Sequence, residues 1–280
     1  VDVAVETAIE PAGLIAYNQE RWDALVAADV AYSRPLLDLD EEAARQWIRN
    51  EGWVPPSFLE QIAGKDVLCL ASGGGQQTAV FGTLGANVTV LDFSSKQLDG
   101  DRKAAAHYGY DLRVEQGVMT DLSAFADNSF DIIWHPYSIN FIPDPQPVFD
   151  EVARVLRPNG LYRLTFSNPF RAGIDDESWC GDGYAISHPY VDGTEMWADE
   201  PEWMVEGKDG NKQPIAGPKE FNHTLGAIVN GLAGRGFGLL HLWEDTGDTA
   251  PNLAAEPGSW AHFIAIAPPY LGVWMRRGGD

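Results

Sequence analysis

The sequence predicts an α/β fold: a doubly wound, mostly parallel sheet with an antiparallel last strand, an N-terminal helical cap and an insertion after the fifth strand. Three observations carry this. Short apolar runs alternate with stretches of helical periodicity from residue 66 to 166, as in right-handed βαβ units. A glycine turn, Gly73-Gly74-Gly75, follows the first of those runs. The last two expected strands have no helix expected between them, so they can pair antiparallel.

Residues 1–63 read as the cap. Leu14, Tyr17, Trp22, Leu25 and Val26 recur at three- to four-residue spacing, and Pro35 follows. Asp40 can cap a second helix carrying Ala44, Trp47 and Ile48, and Pro55-Pro56 opens a third. Residues 64–168 read as a ligand-binding core. Its first strand, 66–71 (DVLCLA), is nearly all apolar, as a strand covered on both faces must be. A helix is expected over 76–84 and a strand over 87–91, ending at Asp92. Ser94 caps a helix to about residue 108. Strands are expected over 112–116 and 130–134. Residues 145–156 place Val148, Phe149, Val152 and Val155 on one helical face, and Pro158-Asn159-Gly160 turns the chain into a fifth strand, 161–166. Residues 169–220 lack periodicity and are expected to form an insertion over the site. Residues 221–280 return to the core sheet, with a helix over 221–233, a strand over 237–243 and a last strand over 260–267.

Charge narrows the partners. The 280 residues carry 41 acids and 19 bases, a net charge of −22. Nucleic acid and an anionic membrane both need clustered Lys and Arg, so neither is expected. Cys69 and Cys180 support neither a disulfide framework nor a four-cysteine zinc site, and the histidines show no metal-ligand spacing, so no metal is expected. There is no apolar run of membrane-spanning length and no secretory pattern in the first residues, so a cytoplasmic location is expected. The oligomeric state is not readable. Acidity concentrates in residues 175–209, which hold eleven acids against Lys208 alone. That admits a cationic or amine substrate beside a neutral one.

Glycines after the first strand of a βαβ unit let a ligand approach the backbone and the amides of the next helix. Asp92, 19 residues after Gly73, can accept both hydroxyls of an adenosine ribose. A dinucleotide would want a third glycine where Thr78 stands. S-adenosylmethionine, which has no pyrophosphate, needs only the close approach.

From Val67 to Phe166 the chain resembles the class I S-adenosylmethionine-dependent methyltransferases of the small-molecule type. VLCLASGGG stands at that family's glycine turn, VTVLDFS at its ribose acid and VEQGVMTDLSAF at its adenine loop. DNSFDIIWHPYSINFI covers the fourth strand and catalytic face, and FDEVARVLRPNGLYRLTF is the most specific piece. NQERW, around Asn18 and Trp22, resembles a cofactor-capping helix. The resemblance implies a seven-stranded Rossmann-like sheet and a methyl transfer from S-adenosylmethionine to an O, N or C nucleophile. It implies cofactor contacts from Tyr17, Trp22, Ala71, Ser72, Gly73, Gly74, Gln76, Gln77, Asp92, Phe93, Ser94, Gln97, Gly117, Val118, Met119, His135 and Pro136. Two departures stand out. Ala71 replaces the first glycine, and Cys69 replaces the acid that organises the turn.

Methyl transfer is mainly alignment, and a base is needed only for a protonated acceptor. The candidates are His135 and Tyr137 (WHPY), at the edge after the fourth strand, and His223 before a helix. Each competes with a packing or capping role. His188 and Tyr190 could reach an acceptor from the insertion; His107, His241 and His262 read as structural. Trp179, Trp197 and Trp203 in the insertion could cage a cation or form its own small core. An NAD-dependent oxidoreductase and a non-catalytic S-adenosylmethionine-binding module are the competing readings.

Overall fold

The computed structural model describes residues 11–196, 202–206 and 210–279. The cap holds α1 (Pro11–Ala27) and α2 (Glu41–Asn50). The core follows as β1 (Asp66–Leu70), α3 (Gln77–Thr83), β2 (Asn87–Asp92), α4 (Ser95–Tyr108), β3 (Leu112–Gln116), β4 (Phe130–His135), α5 (Gln146–Val155) and β5 (Leu156–Ser167). The insertion is built of two antiparallel hairpins, β6 (Ile174–Trp179) with β7 (Tyr184–Ile186), and β8 (Glu202–Glu206) with β9 (Lys212–Ala216). The chain closes with α6 (Leu225–Ala233), β10 (Phe237–Asp245), α7 (Trp260–Ile266) and β11 (Tyr270–Arg277).

Seven strands form one sheet in the order β10-β11-β5-β4-β1-β2-β3. β1 to β5 run parallel, and β11 runs antiparallel to both β5 and β10. The period-two alternation of β1 explains why its sequence is apolar throughout. Val67 and Cys69 face α2 and α3, among Ile48, Phe81 and Trp134. Leu68 and Leu70 face α5 and α6, among Phe149, Val152 and Ile228. Side chains fix the helix starts: Asp40 accepts from Ala43 N, Ser94 from Gln97 N and Thr224 from Ala227 N.

Three expectations need correction. Residues 260–267 are not the last strand; they form α7, and β11 lies beyond Pro268-Pro269. Ser259 caps α7, and Phe263 and Ile264 bury one face against Ile174, so the apolar run serves a helix. A helix therefore does separate the last two strands, although β11 is antiparallel as expected. The insertion, aperiodic in sequence, holds two hairpins that make their own ladders. The helix expected from 221 starts at Leu225, because Phe221 is bonded to Asn140 through N–H and C=O both. Among the described residues no helix is long and apolar enough to cross a membrane.

Candidate active site

All parallel strands end at one edge, and the glycine turn lies there. Ala71 leaves β1 at φ +46°, a left-handed conformation in the place of the family's first glycine. Gly74 and Gly75 follow at φ +119° and +85°. A side chain on Gly75 would meet the backbone oxygen of Gly100, in α4, at 2.6 Å. The turn and α4 therefore pack backbone against backbone.

Two buried carboxylates hold this turn. Asp92 accepts from Gly73 N at 2.9 Å and from Ser94 N at 2.9 Å. Asp101, in α4, accepts from Gly74 N at 3.0 Å and from the Thr78 hydroxyl at 2.6 Å. Asp101 supplies from another element the acid that Cys69 does not. The sequence signal for it was Gly100, a glycine inside a helix where only close backbone approach repays the cost.

Burial raises Asp92 to a pKa of about 6 and Asp101 to about 7, the bonds from Ser94 and Thr78 opposing it. Both lie above the ordinary aspartate value, so the folded chain holds more protons than the unfolded one between about pH 4 and pH 7. Their stabilising contribution is full below that window and is lost as the pH rises through 6 to 7. The ligand-free chain is accordingly expected to melt higher at pH 5 than at pH 8. Asp101→Asn should remove on the order of 3 kcal/mol of that difference, read as Tm against pH. A pH slope unchanged in the variant would refute it.

Among the predicted ligand residues, Ser72 and Gln77 flank the turn, Gln97 packs on it, and Tyr17 belongs to α1. Ser72 Oγ, Gln77 Oε1, Gln97 Oε1 and Tyr17 Oη are buried without a hydrogen-bond partner among the described residues. Such atoms cost about 1–3 kcal/mol each unless something polar meets them, which fits a ligand with an amine, a carboxylate and hydroxyls. Asp92 keeps lone pairs beyond the bonds from Gly73 N and Ser94 N. The Phe93 carbonyl accepts from Gln19 and Gln116, and Gly117 N bonds Asp92 O, so 117–119 lies against the same edge. Val118 is half-buried and Met119 is buried there. Half-buried Pro136 follows β4 at the same edge.

Other candidates are occupied by the fold. Trp22 packs edge-on against Phe141, Tyr32 and Trp203, whose rings form one herringbone cluster. Asn18 bonds the Lys219 backbone and the Phe141 carbonyl, fastening α1 to the end of the insertion and to the loop after β4. Gln76 bonds the Arg34 carbonyl. Trp22 thus packs between the cap, the loop after β4 and the insertion, and Gln76 Nε2 ties the turn to the cap.

His135 is fully buried, its Nδ1 2.8 Å from the Tyr162 hydroxyl, and desolvation lowers its pKa to about 3. Burial makes the ring weakly basic in the ligand-free chain, which favours a packing role for it over that of a base. His223 is buried with Nε2 3.1 Å from the Ile139 carbonyl, and burial lowers its pKa too. It braces the loop after β4. Tyr137 is different: its hydroxyl donates to Glu220 Oε2 at 2.5 Å. Glu220, which sequence reasoning missed, is buried, and nothing local in its sequence marks it.

Two of the insertion's acids serve structure. Asp192 accepts from Thr224 at the start of α6, Glu195 pairs with Lys219, and Asp182, Glu202 and Glu206 are exposed. Trp197, Asp199, Glu200, Lys208 and Asp209 lie outside the described residues. Trp179 packs on Tyr184 and His262. Trp179 and Trp203 therefore build local cores rather than an open cage. His188 and Tyr190 are exposed.

Comparison with known proteins agrees with this geometry. A family model described as a methyltransferase domain matches residues 68–164. An uncharacterized methyltransferase of Bacillus subtilis is 33% identical over 245 residues, covering 84% of this chain and 91% of its own. A ubiquinone biosynthesis O-methyltransferase of Actinobacillus pleuropneumoniae is 28% identical over 49% of this chain, which spans 66% of that protein. A solved S-adenosylmethionine-dependent methyltransferase from Mesorhizobium loti superposes with a TM-score of 0.60 at 22% identity, over 86% of this chain and all of its own.

Proposed function

We propose a reaction from one premise: this chain belongs to the class I S-adenosylmethionine-dependent methyltransferases and uses S-adenosylmethionine as its methyl donor. The acceptor is a small molecule whose O, N or C nucleophile is methylated beneath the 169–220 insertion. The observation that carries this reading is the orphaned set Ser72, Gln77 and Gln97 at a turn held by Asp92 and Asp101.

When bound, S-adenosylmethionine supplies an electrophilic methyl group on a sulfonium. The chain's part is to hold and align. Residues 71–74 and Gln77 would receive the methionine portion, Asp92 the ribose, and 117–119 the adenine edge through their backbone. Thr78 supports this over a dinucleotide, since its hydroxyl is committed to Asp101 where a third glycine would be needed. α1 and the insertion close over the edge and exclude water from the donor.

The test is transfer of radiolabelled methyl from S-adenosylmethionine to a panel of phenols, amines and carbon acids. Label is expected in one class of product. Label that stays on the donor throughout, with S-adenosylhomocysteine binding intact, would favour a non-catalytic binding module instead.

A further inference from the structure

We propose that Tyr137 and Glu220 form a proton relay that deprotonates an acidic hydroxyl, of a phenol or enol, on the methyl acceptor. This rests on the methyltransferase reading above.

The first ground is position. Tyr137 lies two residues beyond β4, at the edge that carries the glycine turn. Ser167 ends β5 there, and Tyr270 opens β11 opposite it. The Tyr137 ring stands edge-on to Tyr270 at 5.4 Å and to Phe141 at 6.0 Å, and it is half-buried. Its hydroxyl is bonded directly to Glu220.

The second ground is that the Glu220 side chain does not fasten its own segment. That work is done by backbone and by Asn18: Met196 N bonds Glu220 O, Phe221 N bonds Asn140 O, and Asn18 grips Lys219. A buried carboxylate costs several kcal/mol of desolvation. Here the carboxylate accepts from a phenol, the Tyr137 hydroxyl.

The third ground is charge balance. Arg171 lies near enough to favour the carboxylate, while Tyr270 faces it and feels Asp245 and Asp248 beyond. Ser167 reaches the Tyr137 hydroxyl. The neighbouring Lys219 is paired with Glu195, and His223 with a carbonyl. Burial raises Glu220 to about 7, the Tyr137 bond opposing it. A receiver near neutrality suits a phenol or enol better than an aliphatic alcohol, whose proton is held far more tightly.

The step balances. The acceptor oxygen forms its bond to the methyl carbon, and the pair of the breaking sulfur–methyl bond stays on sulfur. The acceptor proton passes to the Tyr137 oxygen as the Tyr137 proton passes to Glu220. A hydroxyl, a carboxylate and a sulfonium become an ether, a carboxylic acid and a thioether.

The experiment needs no turnover. 4-Nitrocatechol, whose ionised form absorbs in the visible, is titrated against pH in the complex of the full chain with S-adenosylhomocysteine. Wild type should lower its ionisation midpoint. E220Q and Y137F should each raise that midpoint by about one pH unit or more, a tenfold change in acidity, and E220D should restore part of it. No shifted band with wild type, or a midpoint in E220Q and Y137F unchanged from that of wild type, overturns the relay. Calorimetry with S-adenosylhomocysteine on all four proteins checks that each is folded, and its loss in wild type would count against the parent reading rather than the relay.

Discussion

Gly100→Ala is expected to destabilise the chain by about 2 kcal/mol and to weaken S-adenosylmethionine binding by about tenfold or more. Helix propensity alone argues the reverse, since alanine is favoured over glycine by about 1 kcal/mol inside a helix. The contact decides the sign. A methyl group on Gly100 would meet Gly74 O at 2.6 Å and its carbonyl carbon at 2.8 Å, and both are backbone. Neither can swing aside, so α4 or the turn must move, at a cost typical of overpacking, about 1–3 kcal/mol. Motion of the turn also disturbs the bond from Gly74 N to Asp101. Thermal denaturation and ligand titration of the same variant check both parts. A variant with a raised Tm and full affinity would show that turn and helix do not depend on that approach.

Asp92→Ala should reduce affinity for S-adenosylmethionine by about 100-fold. The carboxylate does two jobs at once, fixing Gly73 N and Ser94 N and offering its remaining lone pairs to a ribose. Hydrogen bonds to a charged group contribute about 1.5–3 kcal/mol each, and 1.4 kcal/mol is tenfold in affinity. Losing one or two of them in the bound state therefore accounts for that factor. The variant should stay folded, because the same substitution also removes a desolvated carboxyl whose burial is costly above pH 6. Equal affinity in the variant and wild type would remove Asp92 from the ligand site.

The core sheet was legible because its signal is local. β1 and β2 each lie between two layers, so unbroken apolar runs had one reading. Caps such as Asp40 and Ser94 marked helix starts within a residue or two. The stretch 260–267 misled because its aromatic and β-branched residues suit a strand. The packing of Phe263 and Ile264 against the distant Ile174 decided otherwise. The insertion's hairpins pair polar and apolar residues without strong alternation, and only cross-strand bonding defines them.

The site divides the same way. Asp92 stands at the end of its own strand, at a distance from the turn that the chain itself fixes. Asp101 and Glu220 act across separations of 27 and 83 residues from Gly74 and Tyr137, which no spacing rule reaches. The burial of His135 was hidden from the sequence for a related reason. The register of β4 turns its ring inward to Tyr162, and solvent access is a property of the packed sheet.

Calorimetric titration of the wild-type chain with S-adenosylmethionine and S-adenosylhomocysteine, with NAD as the control, tests the central claim most directly. Saturable binding of both sulfur ligands at one site per chain, and none of NAD, is the result expected. No heat from either sulfur ligand at millimolar concentration, or binding of NAD in their place, would contradict it.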